Sequence, residues 1–410
     1  MNNTPELLSP AGDLDKMRFG IAYGADAVYM AGTRFGMRAA ATNFDDNALR
    51  EGIAYAHAHG VKCYITVNIM PSNRDLPALP AYLELLQDAG ADALIIADVG
   101  VLRMARRYAP KVPVHISTQT SILNHEAANY WADEGAERIV LARELSLEEI
   151  AEIRAKTPKE LESDAFVHGA MCISYSGRCL ISQYMTGRDA NHGACAQPCR
   201  WNYSLMEEKR PGQFFPVEED GRGTYLYNSK DMCMIEHVPE LIEAGITSFK
   251  IEGRNKTAYY AACVTGAYRA AIDTYKKDPE NFVLPQFCRD EVNKVSHREF
   301  YTGFYFGNQE NGQHYGDSQY IREYEVVGMP VECDDSGKAV FALKNRFFDG
   351  EELELIQPGQ APYVFRAENV TDDEGTKREL FNVPQMRVHF AFPFKVSEWA
   401  ILRKVKERPE

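Results

Sequence analysis

One recurring local pattern constrains the fold of this chain most: a helix-like stretch, a glycine, then a short apolar run rich in β-branched residues. It occurs as YGADAVYMAG, HGVKCYITVN, AGADALIIAD, EGAERIVLAR and AGITSFKIEG. Glycine suits the left-handed residue that ends a helix, and runs that are apolar on both faces are typical of buried parallel strands. The pattern therefore predicts helix–strand units built around one parallel sheet.

Three further runs, LLSPAGD, VPVHISTQT and DAFVHG, bring the predicted strands to eight. Between the strands, helices are predicted at Leu14–Ala22, Asn47–His59, Leu79–Asp88, Val101–Tyr108, Glu126–Asp133 and Leu147–Ala155. The last of these starts with a capping box, SLEE, at Ser146. Eight strands alternating with helices predict an α/β fold of the TIM-type (β/α)8 barrel class. An open doubly wound sheet is the rival, but no G-x-G-x-x-G opens the first helix.

The chain divides into three predicted parts. Residues 1–290 hold the barrel, and within them the pattern breaks between about residues 170 and 234, where cysteines and glycines concentrate. This segment reads as an insertion in the seventh βα loop, and such loops form the active-site face of a barrel. Residues 291–320 are a predicted connector, and residues 321–410 a small β-barrel or sandwich, because turn sequences separate their strand-like runs.

The charge and hydropathy of the sequence limit which compartment and which binding partners are expected. The net charge of −14 argues against broad coating of nucleic acid but leaves room for a local basic cleft. No apolar run approaches the roughly 20 residues of a membrane span, and the N-terminus lacks the pattern of a secretory signal. We therefore expect a cytoplasmic protein without membrane contact, in a compartment that disfavours structural disulfides. The oligomeric state stays open.

Four of the nine cysteines lie in one short segment with the spacing C-x6-C-x15-C-x3-C: Cys172, Cys179, Cys195 and Cys199. Four thiolates can bind zinc or an iron–sulfur cluster. Structural zinc sites usually use closely spaced cysteine pairs, whereas the wide gaps here favour a cluster wrapped by a loop. A zinc staple and inert buried cysteines remain alternatives. Cys233, just beyond the segment, is a reserve ligand.

Polar side chains at the carboxyl ends of the predicted strands are candidate site residues, because that face carries the chemistry of such barrels. We predict that Arg143, His168 and Glu252 act in catalysis. Predicted substrate-binding residues are Arg38, Asn68, Gln119, Lys250 and Arg254; Asp98 is a further strand-end candidate. The structural alternatives are an ion pair between Glu252 and Arg254 at the rim and a buried, hydrogen-bonded His168.

Aromatic and basic residues alternate around the cysteines: Tyr175, Tyr184, Trp201 and Tyr203 with Arg178, Arg188 and Arg200. Aromatics beside arginines suit stacking on unpaired RNA bases and contact with phosphates. The alternative is that these side chains serve packing.

The motif FVHGAMCISYSGRCLIS resembles the signature of the collagenase-like peptidase family, historically grouped as peptidases of unknown mechanism. ELLSPAGDLDKMRFGIAYGADAVYMAG, NSKDMCMIEHVPELIEAGITSFKIEGRNKTAYYAA and FYTGFYFG are also similar to that family, so the resemblance covers essentially the whole chain. One departure is visible: the signature usually opens with Glu two residues before the Phe, and here Asp164 stands in that place.

The resemblance implies a function and cofactors. Members with this layout look like tRNA uridine hydroxylases that use prephenate to make 5-hydroxyuridine at the wobble position; others hydroxylate a ribosomal RNA cytidine or act in quinone hydroxylation. It further implies tRNA as partner, prephenate as co-substrate, and a 4Fe–4S cluster on Cys172, Cys179, Cys195 and Cys199. Arg38, Arg143 and Arg254 would suit a dicarboxylate, because the guanidinium fork binds carboxylate bidentately.

Two other function classes stay open. A peptidase is what the historical family name says, but no G-x-S-x-G elbow and no H-E-x-x-H motif is present. Thiols that ligate a cluster are also not free to act as nucleophiles. A non-catalytic binding module, in which a metal only holds the insertion together, is the third possibility.

Overall fold

The computed structural model describes residues 4–38, 42–172, 174–201, 204–206, 214–216, 229–307 and 320–406. Its first part is a closed barrel of parallel strands. Seven of them are β1 (Glu6–Pro10), β2 (Ala27–Met30), β3 (Lys62–Val67), β4 (Ala93–Ile96), β5 (Val114–Ile116), β6 (Arg138–Val140) and β7 (Glu162–Ala170). After β8 (Ser204–Met206), β9 (Phe214–Pro216) and β10 (Asp231–Cys233) comes β11 (Ser248–Ile251), which pairs with both β7 and β1 and closes the barrel. All eight predicted barrel strands are confirmed.

Helices surround the barrel: α1 (Leu14–Ala22), α2 (Asp46–Ala58), α3 (Leu79–Asp88), α4 (Val99–Tyr108), α5 (His125–Asp133), α6 (Leu147–Ala155), α7 (Ile181–Thr186), α8 (Val238–Glu243), α9 (Ala258–Lys277) and α10 (Gln286–Asn293). The bounds predicted for α1, α3 and α6 are confirmed. Helices α2, α4 and α5 begin one or two residues early, because Asp45, Asp98 and Asn124 accept the cap hydrogen bonds. The capping box at Ser146 is confirmed. None of the helices in the described residues combines the length and the apolar character that a membrane span requires.

The second part is an antiparallel β domain. Before it, β12 (Phe300–Tyr301) pairs with β10 and extends the barrel sheet. The domain's strands are β13 (Tyr324–Cys333), β14 (Lys338–Leu343), β15 (Phe347–Phe348), β16 (Glu352–Ile356), β17 (Tyr363–Arg366), β18 (Thr371–Asp372), β19 (Leu380–Phe381), β20 (Arg387–Ala391) and β21 (Ile401–Val405). Its main sheet has the order β17-β16-β21-β13-β14-β20-β18 around a core rich in phenylalanine. The predicted domain boundary at residue 290 falls inside α10.

Buried charges and aromatic packing join the two parts. Arg403 of β21 is fully buried and donates from Nη1 to Glu291 Oε2 of α10 at 2.7 Å. It also donates from Nε to Glu354 Oε2 of β16 at 2.8 Å. Trp399 packs edge-on against Phe19 of α1, with ring centroids 5.3 Å apart. Since a buried charge without its partners is costly, these contacts set the position of the β domain on the barrel.

Candidate active site

A cavity of about 120 Å³ lies at the carboxyl ends of the barrel strands and is here called the mouth cavity. Strand-end side chains line one side: Arg38, Asn68, Gln119, Arg143, Lys250, Glu252 and Arg254. The cysteine segment lines the other, with Cys172, Cys179, Cys195, Cys199 and Tyr175. Asp98 instead caps α4, accepting from the Val101 amide at 3.0 Å. The structure thus brings most of the sequence-predicted site residues together at one place.

Glu252 is the carboxylate at the centre of the mouth cavity. Its Oε1 lies 3.4 Å from Arg38 Nε, and its Oε2 lies 3.6 Å from Arg143 Nη2. Burial by itself would raise the pKa of Glu252, but Arg38, Arg143 and Arg254 outweigh it and the pKa is lowered. Glu252 is therefore an anion, and it pairs with Arg38 and Arg143 rather than with Arg254.

Two of the cavity's arginines have unusual local settings. Arg38 adopts a left-handed backbone conformation with φ of 78°, which costs energy in a residue with a side chain. The guanidinium of Arg143 stacks 3.8 Å above the Phe166 ring and donates from Nη1 to the Ala170 carbonyl at 3.0 Å. Its buried Nε has no partner among the described residues. An unpaired donor beside a cavity is a ready contact for a ligand.

Lys250 and Asp164 form a buried pair at the floor of the cavity. Lys250 Nζ lies 3.1 Å from Asp164 Oδ2 and 4.4 Å from the centre of the Tyr29 ring. Burial raises the pKa of Asp164 and lowers the pKa of Lys250, so the two values move toward each other. Asp164 stands where the family signature usually has the longer Glu, and its carboxylate still contacts Lys250.

Neutral polar groups complete the lining. Asn68 Oδ1 accepts from the Met37 amide at 3.2 Å, and its Nδ2 donates to Ser117 Oγ at 3.1 Å. Gln119 is buried, and its Oε1 has no hydrogen-bond partner among the described residues. The sequence reasoning missed Ser117 and Tyr29, although both stand at strand ends, where the same positional signal applied. The cavity therefore offers both charged and neutral contacts.

Contacts with two barrel loops place the cysteine segment over the mouth. The Met70 amide donates to the Asn191 carbonyl at 3.0 Å. Ser121 Oγ donates to the Ser176 carbonyl at 3.2 Å. Gly177, with φ of 73°, lies so close to Gln119 that a Cβ there would stand 2.9 Å from its Oε1. Only glycine fits this approach without strain, so the segment closes tightly over the cavity.

The four cysteines fit an iron–sulfur cluster by their donor chemistry. All four border one cavity, and Cys195 Sγ accepts from the Gln197 amide at 3.3 Å. In the described residues, no three His, Cys, Asp or Glu side chains are close enough to hold a single metal ion. Each thiolate of a four-iron cluster binds a different iron, so cluster ligands stand further apart than the four ligands of a zinc ion. The donor set fits a cluster, and both the cluster and the zinc alternative stay predictions.

The structure corrects the placement of His168 and of the reserve ligand Cys233. Neither residue lines the mouth cavity. The two face each other across the antiparallel β7–β10 pairing, and His168 packs among the rings of Tyr260, Tyr268 and Phe300. Burial lowers the pKa of His168 to about 3 and raises the pKa of Cys233 to about 12. Because both side chains lie outside the cavity, neither is placed to transfer a proton or to bind a metal there.

A β-bulge explains the position of His168. Along β7, Phe166 lines the cavity and opposes Lys250, but the register then shifts so that His168 opposes Ile251. The extra residue reverses the alternation of faces. The side chain of His168 therefore points away from the barrel interior, although it stays buried. The hydrogen-bonded alternative is not confirmed either, because neither ring nitrogen has a partner in the described residues.

The alternating aromatic and basic residues are only partly described. Tyr175 lines the cavity, and Tyr184 is 91% exposed. Arg178 and Arg188 are exposed, and Arg188 Nε donates to the Ala194 carbonyl at 3.0 Å. Trp201 is exposed, whereas Tyr203 and the side chain of Arg200 lie outside the described residues. The exposed rings agree with a surface role better than with packing.

Comparison with known proteins identifies relatives along the whole chain. A protein of Bacillus subtilis named tRNA hydroxylation protein P1 is 39% identical over 404 residues, 98% of this chain and 95% of that protein. The Escherichia coli tRNA hydroxylation protein P is 36% identical over 90% of each chain. The Escherichia coli 23S rRNA 5-hydroxycytidine C2501 synthase is 36% identical over 80% of this chain and 48% of its own.

Family models match both parts of the molecule. The model described as peptidase family U32 covers residues 12–315, and that of the peptidase family U32 C-terminal domain covers residues 322–403. The first match includes the whole mouth cavity, and the second includes the β domain from β13 to most of β21. The chain therefore belongs to peptidase family U32.

Proposed function

We propose that this protein is an RNA-modifying enzyme that hydroxylates the wobble uridine of tRNA to 5-hydroxyuridine. Prephenate would be its co-substrate and a 4Fe–4S cluster its cofactor. The observation that carries the proposal is the mouth cavity, where four thiols meet four cationic side chains at the catalytic end of a barrel. Relatives named for tRNA hydroxylation, and one named for rRNA 5-hydroxycytidine synthesis, support the same chemistry on a pyrimidine base.

The cavity's own residues would bind and orient the reactants. Cys172, Cys179, Cys195 and Cys199 would hold the cluster, which supplies redox or Lewis-acid chemistry when bound. Arg38 lines the same cavity as Cys172 and Cys195. A guanidinium at this point would balance the negative charge of thiolates and of an anionic co-substrate.

A dicarboxylate such as prephenate suits the remaining charges. Arg143 offers at the cavity an Nε that has no partner among the described residues. Gln119 Oε1, likewise unpaired in that part of the chain, is an acceptor and suits a hydroxyl group of the ligand rather than a carboxylate. Glu252 holds Arg38 and Arg143 only through long contacts of 3.4 and 3.6 Å. Carboxylates of a ligand could therefore replace those contacts with shorter, bidentate hydrogen bonds.

A peptidase function finds less support in the site. No histidine lines the mouth cavity in the described part of the chain. His168 is buried outside it, and His192 is paired with Asp189 at 2.8 Å and with Asp75 at 3.4 Å. A cysteine nucleophile is commonly activated by an adjacent histidine, and the described lining holds none.

Complementation tests the proposal directly. The chain is expressed in Escherichia coli that lacks its own tRNA hydroxylation protein P, and digested tRNA is analysed by mass spectrometry. We expect nucleosides derived from 5-hydroxyuridine to return with the native chain and to stay absent with a Cys172→Ser variant. Restored modification by that variant would contradict the cluster, and no modification with a folded, iron-loaded native chain would contradict the function.

A further inference from the structure

A second cavity of about 630 Å³ lies between the barrel and the β domain and is here called the interdomain cleft. The barrel contributes the loop after β11 and the first residues of α9. The β domain contributes Val326 and Met329 of β13 and Lys344, which follows β14. Arg38 and Glu252 line both this cleft and the mouth cavity. The cleft therefore adjoins the candidate active site.

The cleft is basic, in contrast to the protein as a whole. Its charged lining consists of Arg38, Lys256, Arg322 and Lys344, with Glu252 as the one acidic side chain among the described lining residues. Lys344 also borders an adjoining groove lined by Arg346 and Lys406, with Glu325 as its acidic member among the described lining residues. Since the chain carries a net charge of −14, this run of cations is a local concentration rather than an average property.

Ser296 and Tyr320 hold two of these cations together. Lys256 Nζ donates to the Ser296 carbonyl at 2.8 Å, and Arg322 Nε donates to Ser296 Oγ at 3.2 Å. Both also lie against the Tyr320 ring, at 4.4 and 5.7 Å from its centre. Lys256 Nζ also lies 3.9 Å from Oδ2 of the buried Asp231, so part of its charge is already balanced. Together Lys256 and Arg322 still place two cations at one point of the cleft, as a site for an anion requires.

Apolar surface lies beside these charges. Ala258, Val326 and Met329 line the same cleft, so a ligand with both an anionic and an apolar part is complementary to it. A nucleotide has this character, because its phosphate is charged and its base presents a flat π-face.

The cleft is preformed, because buried contacts fix the two domains at its base. Arg403 joins Glu291 to Glu354, and Lys294 Nζ contacts both oxygens of Glu354 at 3.0 and 2.9 Å. A rigid groove loses little entropy when a ligand binds.

We propose that the interdomain cleft binds the RNA strand that adjoins the modified base, with phosphates at Lys256, Arg322 and Lys344. The inference rests on the proposed function for the identity of the substrate. A base that enters the mouth cavity beside Glu252 leaves its neighbours in the same strand at the cleft. The basic run continues past Lys344 into the adjoining groove, which is more surface than a small dicarboxylate covers. The β domain is then part of the substrate-binding surface.

Charge reversal at the cleft tests this assignment. The variants are Arg322→Glu, Lys344→Glu and their combination, and both residues are exposed, so the fold is expected to stay intact. Matched controls are Arg366→Glu and Lys377→Glu, which are exposed in the same domain and line neither the cleft nor the adjoining groove. The probe is a fluorescently labelled anticodon stem-loop RNA, titrated by anisotropy at several salt concentrations with iron-loaded full-length protein.

We expect the double variant to bind the RNA about ten- to a hundredfold more weakly at low salt, with the controls close to native. Each lost phosphate contact removes roughly 0.7 from the slope of log K against log salt on a single strand, so the slope should fall by about 1.4. Iron content and thermal midpoint should not change. Native affinity and slope in the double variant would overturn the cleft assignment, whereas native protein that neither binds nor modifies the RNA would overturn the proposed function itself.

Discussion

Two arginine–glutamate networks lie at opposite ends of the barrel, and they differ in how completely they are paired. Arg138, at the centre of one, is buried, whereas its partner Glu162 is exposed. At the base, Arg138 donates from Nη1 to Glu6 Oε1 at 2.5 Å and from Nε to Glu162 Oε2 at 2.7 Å. Tyr64 and Ser248 add hydrogen bonds to Glu6 at 2.6 and 2.9 Å. At the mouth, Glu252 meets its arginines only at 3.4 and 3.6 Å.

The difference separates a structural network from one prepared for a ligand. At the base, burial would raise the pKa of Glu6, but Arg138 and its hydrogen bonds lower it, and the charges satisfy one another. At the mouth, Arg143 Nε and Gln119 Oε1 remain unpaired among the described residues. Unpaired buried polar groups are costly for stability, and the two that border the mouth cavity are placed to contact a ligand.

The largest expected effect concerns the thiols at the mouth, which have no counterpart at the base. Replacing Cys172 or Cys179 by Ser should abolish cluster binding, because each removes one of four thiolate ligands. Native protein purified without air should contain about four irons and show brown absorbance, as should a Cys333→Ser control in the β domain. Zinc without iron in the native protein would contradict the cluster.

Removing an arginine should reduce the free energy of unfolding more at the base of the barrel than at its mouth. Arg138→Ala leaves the largely buried Glu6 without its cation and should reduce the free energy of unfolding by about 3 kcal/mol. The exposed Glu162 adds little, because water screens its charge. Arg143→Ala should cost less, because Glu252 keeps Arg38 and adjoins a cavity that water can enter. Urea unfolding of both variants measures this difference. Equal losses would remove the distinction between the networks.

For prephenate affinity, in contrast to stability, we expect the arginines at the mouth to matter most. Arg38, Arg143 and Arg254 are each replaced by Ala, and prephenate binding is measured by calorimetry. Since a hydrogen bond to a charged group contributes about 1.5–3 kcal/mol, at least one variant should bind about ten- to a hundredfold more weakly. An Arg106→Ala variant, on the outer surface, is the control. Native affinity in all three mouth variants would contradict the proposed prephenate site.

The smallest effect at neutral pH is expected at His168, which belongs to neither network. Its pKa is about 3 in the folded protein against an ordinary value of 6.5. The unfolded chain therefore binds a proton that the folded protein does not, and stability falls as the pH drops from about 6.5 toward 3. One such group contributes at most about 1.4 kcal/mol per pH unit.

A His168→Phe variant should lose this part of the pH dependence, since phenylalanine suits the aromatic surroundings. Urea midpoints across the acidic range measure it, with exposed His59→Phe as the control. An unchanged slope in His168→Phe would show that His168 is protonated in the folded protein.

Much of the fold follows from local sequence. The glycine-ended helices and apolar strands were predicted because a helix cap or a buried strand is specified by adjacent residues. The convergence of Asn68, Gln119, Arg143 and Glu252 was also predictable, because parallel strands in a barrel bring their carboxyl ends to one face. No contact information was needed for either inference.

Tertiary structure decided what depends on distant residues. Strand β21 was not predicted, since Arg403 and Lys404 resemble surface residues, yet both are buried by pairing with Glu291, Glu354 and Glu351. His168 was misplaced because a bulge against β11 reverses its direction. The sequence by itself thus determined the elements and the face that carries the candidate site. The outward turn of His168, the buried charges of β21 and the cleft beside Lys344 arise only from packing, because their partners lie far away along the chain.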